Sequence, residues 1–208
     1  MSRVKTQATP QGRLAAWLVC LAATLTGAGA TFAQDVVRIP MLIDQLAPGQ
    51  VVAVPLFIRD LSGTLLGSDA ASGFKIQSLA VTIEYLPADA ITAIDIERAG
   101  ITAGLTPLFE TEVSMNNRHS WIVAFDEAAA LVPLTLDPSL PGDQVAELRL
   151  TLAANLAANT SITVNLVAPT ALGNQMGTYA ETASNGLLTL EDGTLITVPV
   201  ELIRFSVD

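Results

Sequence analysis

Between Val36 and Val198 the chain alternates apolar and polar residues with a period of two. The 3.6-residue period of an amphipathic helix is almost nowhere to be found. The alternation is clearest in Ile76–Tyr85. There Leu79, Val81, Ile83 and Tyr85 fall on one side, and Ala80, Thr82 and Glu84 on the other. The same pattern predicts strands over Val36–Ile43, Val51–Ile58, Ile91–Ile96, Leu108–Met115, Ser120–Phe125, Val145–Leu152, Ile162–Val167, Gly186–Leu190 and Leu195–Val198. Turn chemistry separates them. Leu46-Ala-Pro-Gly49 ends the first. Asn116-Asn117-Arg118 predicts a hairpin, because Asn tolerates positive φ. Glu191-Asp192-Gly193-Thr194 predicts another, in the type I′ geometry that Asp-Gly favours. Pro55 cannot donate to a ladder, so its part of the second strand belongs at an edge or a bulge. Ala153–Ala158 is too short and too interrupted by Asn for a helix, and reads as a strand end and turn. About nine or ten short strands with Pro, Gly and Asn turns predict an all-β, two-sheet antiparallel sandwich.

The first 33 residues follow a different rule. Arg3, Lys5 and Arg13 are basic, and no acidic residue precedes Asp35. Leu14–Leu25 is an apolar run of 12 residues, too short to span a bilayer. Small residues follow, and cleavage is expected after Ala33. This is the pattern of a secretory signal peptide. It divides the chain into a signal at 1–33, a domain at 34–198 and a tail at 199–208. The expected location is extracellular or periplasmic, with no membrane span once the signal is removed. The one cysteine, Cys20, lies inside the signal behind Trp17, Leu18 and Val19, which is no lipidation context. The domain therefore has no disulfide, and burial must stabilise it. Removing Arg3, Lys5 and Arg13 from 10 basic residues leaves 7 against 20 acidic, a net charge of −13. That surface repels nucleic acid and anionic lipid.

Nothing in the sequence points strongly to catalysis, and no enzyme is expected. The only histidine, His119, needs an orienting carboxylate and a nucleophile. Its neighbour Ser120 points to the opposite face of the strand, so His119 reads as a surface residue near a turn. One histidine and no domain cysteine exclude metal binding by those residue types. Asp126-Glu127 and Glu191-Asp192-Gly193 are the strongest acidic pairs, but neither has the spaced ladder of an EF-hand, and both read as turn acids. Glu110 and Glu112 share a strand face with Ser114, as a recognition row or as the wet side of a sheet. Trp121 is expected in the core, because large aromatics dominate burial. No cofactor is expected.

Four segments, in order, resemble the cohesin domain family, the receptor modules of cellulosome scaffoldins. They are "LAPGQVVAVPLFI" (46–58), "AVTIEYLPADAITAIDI" (80–96), "VAELRLTLAANLAANTSITVNL" (145–166) and "ETASNGLLTL" (181–190). The resemblance implies a nine-stranded jelly roll and a partner-binding face built from the strands at Ile76–Tyr85, Leu108–Met115, Ser120–Phe125 and Ile162–Val167. It implies a dockerin-like or other extracellular protein module as partner, and a non-catalytic role in polysaccharide degradation. On those strands the expected face comprises Ser78, Ala80, Thr82, Glu84, Glu110, Glu112, Thr163 and Asn165. The family's Tyr-Asp-Pro is Tyr85-Leu86-Pro87 here, and its outer Asn-x-Asp pair falls on Ser78 and Ala80. Two other readings stay open. Direct polysaccharide binding would require an exposed Trp121. A structural subunit would join neighbours through the alternating tail "VPVELIRFSVD" (198–208) as a donated edge strand.

Overall fold

The computed structural model describes residues 34–44, 46–125, 131–157, 159–169, 177–180 and 187–197. The expected signal at 1–33, the expected tail at 199–208 and the pair Asp126-Glu127 lie outside these residues. In chain order the strands are β1 (Asp35–Arg38), β2 (Leu42–Asp44), β3 (Val51–Arg59), β4 (Ser78–Leu86), β5 (Ile91–Arg98) and β6 (Pro107–Met115). They continue with β7 (Arg118–Phe125), β8 (Asp143–Leu152), β9 (Ser161–Leu166), β10 (Tyr179–Ala180), β11 (Leu188–Glu191) and β12 (Gly193–Thr197). One sheet has the order β11-β1-β3-β8-β5. The other has the order β2-β12-β9-β4-β7-β6, with β10 beside β4. The result is the expected β-sandwich of jelly-roll type. No helix among the described residues is long and apolar enough to cross a membrane.

Two expectations about the strands are corrected. The predicted strand Val36–Ile43 is two strands in two sheets, broken at Ile39–Met41, where Pro40 has no amide to give. The predicted Asp-Gly hairpin is not a hairpin either. Asp192 is the point at which the chain leaves β11 in one sheet and enters β12 in the other. The two breaks lie side by side, because β1 runs parallel to β11 and β2 parallel to β12. A Cβ on Gly193 would sit 2.4 Å from Ile39 Cγ2 and 3.0 Å from Pro40 O, so only glycine lets the two crossings touch. All other strand pairs are antiparallel.

Elsewhere local chemistry acts as expected. Asn116 takes φ 56° in the turn from β6 to β7. Pro55 lies beyond the reach of β1, which pairs only with Phe57–Arg59, and a bulge follows at Leu56/Phe57. Tyr179–Ala180 form the short strand β10, which the period-two pattern does not predict.

The core lies between the sheets. Val52, Val54, Leu56, Ile58, Leu148 and Leu150 meet Leu79, Val81, Ile83, Trp121, Val123, Ile162 and Val164, all buried. Each such side chain contributes about 1.5–3 kcal/mol on burial, so the domain can do without disulfides. Trp121 is 0% exposed, so it offers no aromatic platform to a sugar.

Candidate partner-binding face

Register decides what each strand shows to solvent, because residues directly opposite one another share a face. In β4 the inner residues are Leu79, Val81 and Ile83. Their β7 partners Val123, Trp121 and His119 are therefore inner as well. Ser78, Ala80, Thr82 and Glu84 point outward, opposite Ala124, Ile122, Ser120 and Arg118. On β9, Thr163 and Asn165 share that outer face, opposite Leu86 and Glu84. Six of the eight expected residues thus lie on one surface. Its far edge carries an ion pair, Arg118 Nε to Glu84 Oε1 at 2.8 Å.

Thr82 is on this face but is not available. Its hydroxyl meets Ser120 Oγ at 2.7 Å and donates to Gly177 O at 3.1 Å, and both Thr82 and Ser120 are buried. Here β4 changes neighbours, from β9 to β10. Thr178 patches the junction: its Oγ1 accepts the Thr82 amide at 3.3 Å and donates to the Thr82 carbonyl at 3.2 Å.

Glu110 and Glu112 are corrected. They pair with Val123 and Trp121, which places them on the inner side of β6, not the outer. Since β6 ends its sheet, they sit at the open rim of the sandwich and reach across it. Glu110 accepts from Trp121 Nε1 at 3.0 Å and pairs with Arg98 Nε of β5 at 3.0 Å. Glu112 Oε2 meets His119 Nε2 at 2.5 Å and accepts the Ile96 amide of β5 at 3.2 Å. His119 Nδ1 meets Ser114 Oγ at 2.7 Å. His119 is therefore a buried strut residue, not a surface histidine. The carboxylates hold two sheet edges together through charge-assisted hydrogen bonds. They also line a rim cleft of about 380 Å³ with Asp95, Ile96, Glu97, Arg98 and Ala103.

The outward residues of β6 are the ones that sequence reasoning missed. Phe109, Thr111, Val113 and Met115 face the same way as Ala124, Ile122, Ser120 and Arg118. Phe109 is 53% exposed, Val113 46% and Met115 57%. Together with Leu86 and Ile122 they make an apolar field on the outer face. The signal was present in the odd-numbered residues of Leu108–Met115, but the even-numbered glutamates attracted the reading.

Of the other acids considered, Glu191 pairs with Arg38 at 3.4 Å, and Asp192 Oδ1 accepts the Leu166 amide at 2.6 Å. Both are engaged in holding strands. Among the described residues, no three His, Cys, Asp or Glu side chains cluster as a metal site.

The two sheets and their order define an all-β sandwich of jelly-roll type with one open, partly apolar sheet face. Within that class the chain has the cohesin fold. The third ScaC cohesin of Acetivibrio cellulolyticus, solved with the ScaB dockerin, matches with a TM-score of 0.55 at 15% identity, over 80% of this chain and 100% of that one. A type III cohesin module from the cell-surface anchoring scaffoldin ScaE of Ruminococcus flavefaciens matches with 0.54 at 11% identity, over 85% and 93%. The sixth cohesin of the Acetivibrio cellulolyticus scaffoldin B, solved with a Cel5 dockerin, matches with 0.51 at 15%, over 80% and 100%. No protein-family model matches the sequence, and no curated protein is significantly similar to it.

Proposed function

We propose that this chain is a secreted, non-catalytic binding module that recognises a dockerin-type protein partner through the outer face of the sheet containing β4, β6, β7 and β9. The observation that carries this reading is the exposed row Phe109, Val113 and Met115 beside Ile122 and the Glu84–Arg118 pair. Protein interfaces concentrate affinity in such an apolar centre with a polar rim. Two of the cohesin neighbours were solved with dockerins bound, which supports the choice of partner. Ser78, Thr163 and Asn165 form the polar surround of this reading, with the small Ala80 between them. Glu110, Glu112 and the covered Thr82 act from behind it, as supports.

The test is a binding titration of the purified domain against calcium-loaded dockerin modules encoded in the same genome. Phe109→Asp and Val113→Asp each weaken binding at least tenfold, about 1.4 kcal/mol, while the melting temperature stays unchanged. Binding that survives both substitutions refutes the face, and no binding by any dockerin refutes the partner. Ser114, His119 and Glu112 are the residue types of acyl transfer. Ester turnover above the Ser114→Ala background would overturn the non-catalytic part.

A further inference from the structure

The loop between β3 and β4 folds back over two aspartates. Asp35 begins β1, Asp60 follows β3, and both are 0% exposed. Each carboxylate is held by one oxygen. Asp35 Oδ1 accepts the Leu61 amide at 2.9 Å. Asp60 Oδ2 accepts the Ser68 amide at 2.8 Å and the Ser68 hydroxyl. The other oxygen of each, Asp35 Oδ2 and Asp60 Oδ1, is buried without a hydrogen-bond partner.

No Lys or Arg among the described residues forms an ion pair with either group. Lys75 of the same loop donates to the Ser68 carbonyl instead. A third acid, Asp69, adds its negative field to Asp35, and its Oδ2 accepts the Gly63 amide at 2.9 Å. Neutral oxygens crowd in as well. Thr64 Oγ1 donates to the Leu66 carbonyl at 2.5 Å and, as a nearby hydroxyl, lowers the Asp35 carboxyl pKa only in part. Its one proton is engaged by that carbonyl, so lone pairs outnumber protons here. Gly67, at φ +110°, preserves the space beside Asp60: a Cβ there would lie 2.1 Å from Oδ1.

Buried like charges need either a proton or a cation between them. Backbone amides already donate to one oxygen of each carboxylate and leave the second oxygen free. We infer that Asp35 and Asp60 form a divalent-cation site, with the Thr64 hydroxyl and the Leu66 carbonyl as neutral donors, and that calcium is the ion it takes. An all-oxygen donor set on an irregular loop suits calcium, whereas magnesium demands near-ideal octahedral geometry and dehydrates reluctantly. Two carboxylates rather than three or more imply weak binding, with a Kd of about 10⁻⁴–10⁻³ M. The bound ion would pin the β3–β4 loop to the start of β1.

The experiment is a titration of the chelator-treated wild-type chain with calcium chloride at pH 7.5, read by calorimetry and by thermal unfolding. One calcium binds per chain, and saturation raises Tm by roughly 3–8 °C. Magnesium at the same concentration gives a smaller shift. Asp60→Asn abolishes the response. Should that variant not fold, Thr64→Val decides instead, by weakening calcium binding about tenfold. A wild-type chain that neither binds calcium nor shifts its Tm overturns the site. So does a calcium response undiminished in the substituted chains. Stability that falls from pH 5 to 7.5 with no calcium response assigns the pair a shared proton, and likewise overturns it.

Discussion

Asp35 should make this domain less stable as the pH rises, opposite to the common behaviour of carboxylates in folded proteins. Its carboxyl is pushed up from 3.8 to about 6, chiefly by burial, with the charges of Asp60 and Asp69 adding to the rise. The Leu61 amide and the Thr64 hydroxyl oppose this only in part. A folded-state pKa above the unfolded value means that the folded state holds the proton more tightly. The extra stability is fully present below about pH 3.8 and is lost as the pH climbs through about 6. The gap of about two units, at 1.36 kcal/mol each, comes to roughly 3 kcal/mol. For a domain of this size that is about 6–12 °C in Tm. Asp35→Asn removes the titrating group, so the difference between variant and wild-type profiles isolates this contribution from every other acid. In chelator, the variant should gain on the wild type by up to about 3 kcal/mol between pH 4 and pH 8. Urea unfolding followed by tryptophan fluorescence at several pH values measures it, since Trp121 passes from burial to solvent. Parallel profiles across that range would refute the argument that an uncompensated charge is buried at Asp35.

Two further substitutions test the joints of the sandwich. Thr178→Val keeps the shape but leaves the buried Thr82 amide without its acceptor, and should cost about 1–3 kcal/mol in urea unfolding. Gly193→Ala drives a methyl group into Ile39 and Pro40; a loss of about 1–3 kcal/mol is expected in the same assay, and an unchanged midpoint would show that the two crossings can part freely.

The core was readable because inner positions answer to one demand. Leu79, Val81, Ile83 and Tyr85 must all be apolar to fill the space between the sheets, and the structure buries all four. The hairpin at Asn116–Asn117 was readable for the same kind of reason, a local φ that few residues tolerate. The sheet crossings at Pro40 and Asp192 were not. Each involves a contact between segments some 150 residues apart, and a Gly beside an Asp looks the same whether the chain turns back or crosses over. The acidic pair Asp35 and Asp60 was hidden likewise, because no spacing rule joins residues that meet only through a folded loop. Ser78 and Ala80 could be placed on the outer face by parity alone. Thr82 could be placed there too, but nothing local foretold that residues near 178 would cover it.

The reversal on β6 shows why a fold of this kind is easier to read than its partner. Period two assigns residues to faces but does not say which face is the core when both halves are ambiguous. In Pro107–Met115 one half is Glu110, Glu112 and Ser114, and the other Phe109, Thr111, Val113 and Met115. Hydrophobicity argues that the second half is inner, whereas the register of β7 makes it outer. The glutamates can occupy the inner side only because β6 ends the sheet, where the core gives way to a rim and Arg98, Trp121 and His119 supply donors. The apolar half is thereby left on an edge strand facing solvent. Exposed apolar edge strands invite uncontrolled pairing, and soluble proteins usually blunt them with charge. Here the charge is turned inward and the apolar side chains outward. That inversion makes sense if the outer face of β6 is normally covered by a partner, and it adds Phe109 and Val113 to the face expected around Ser78 and Ala80.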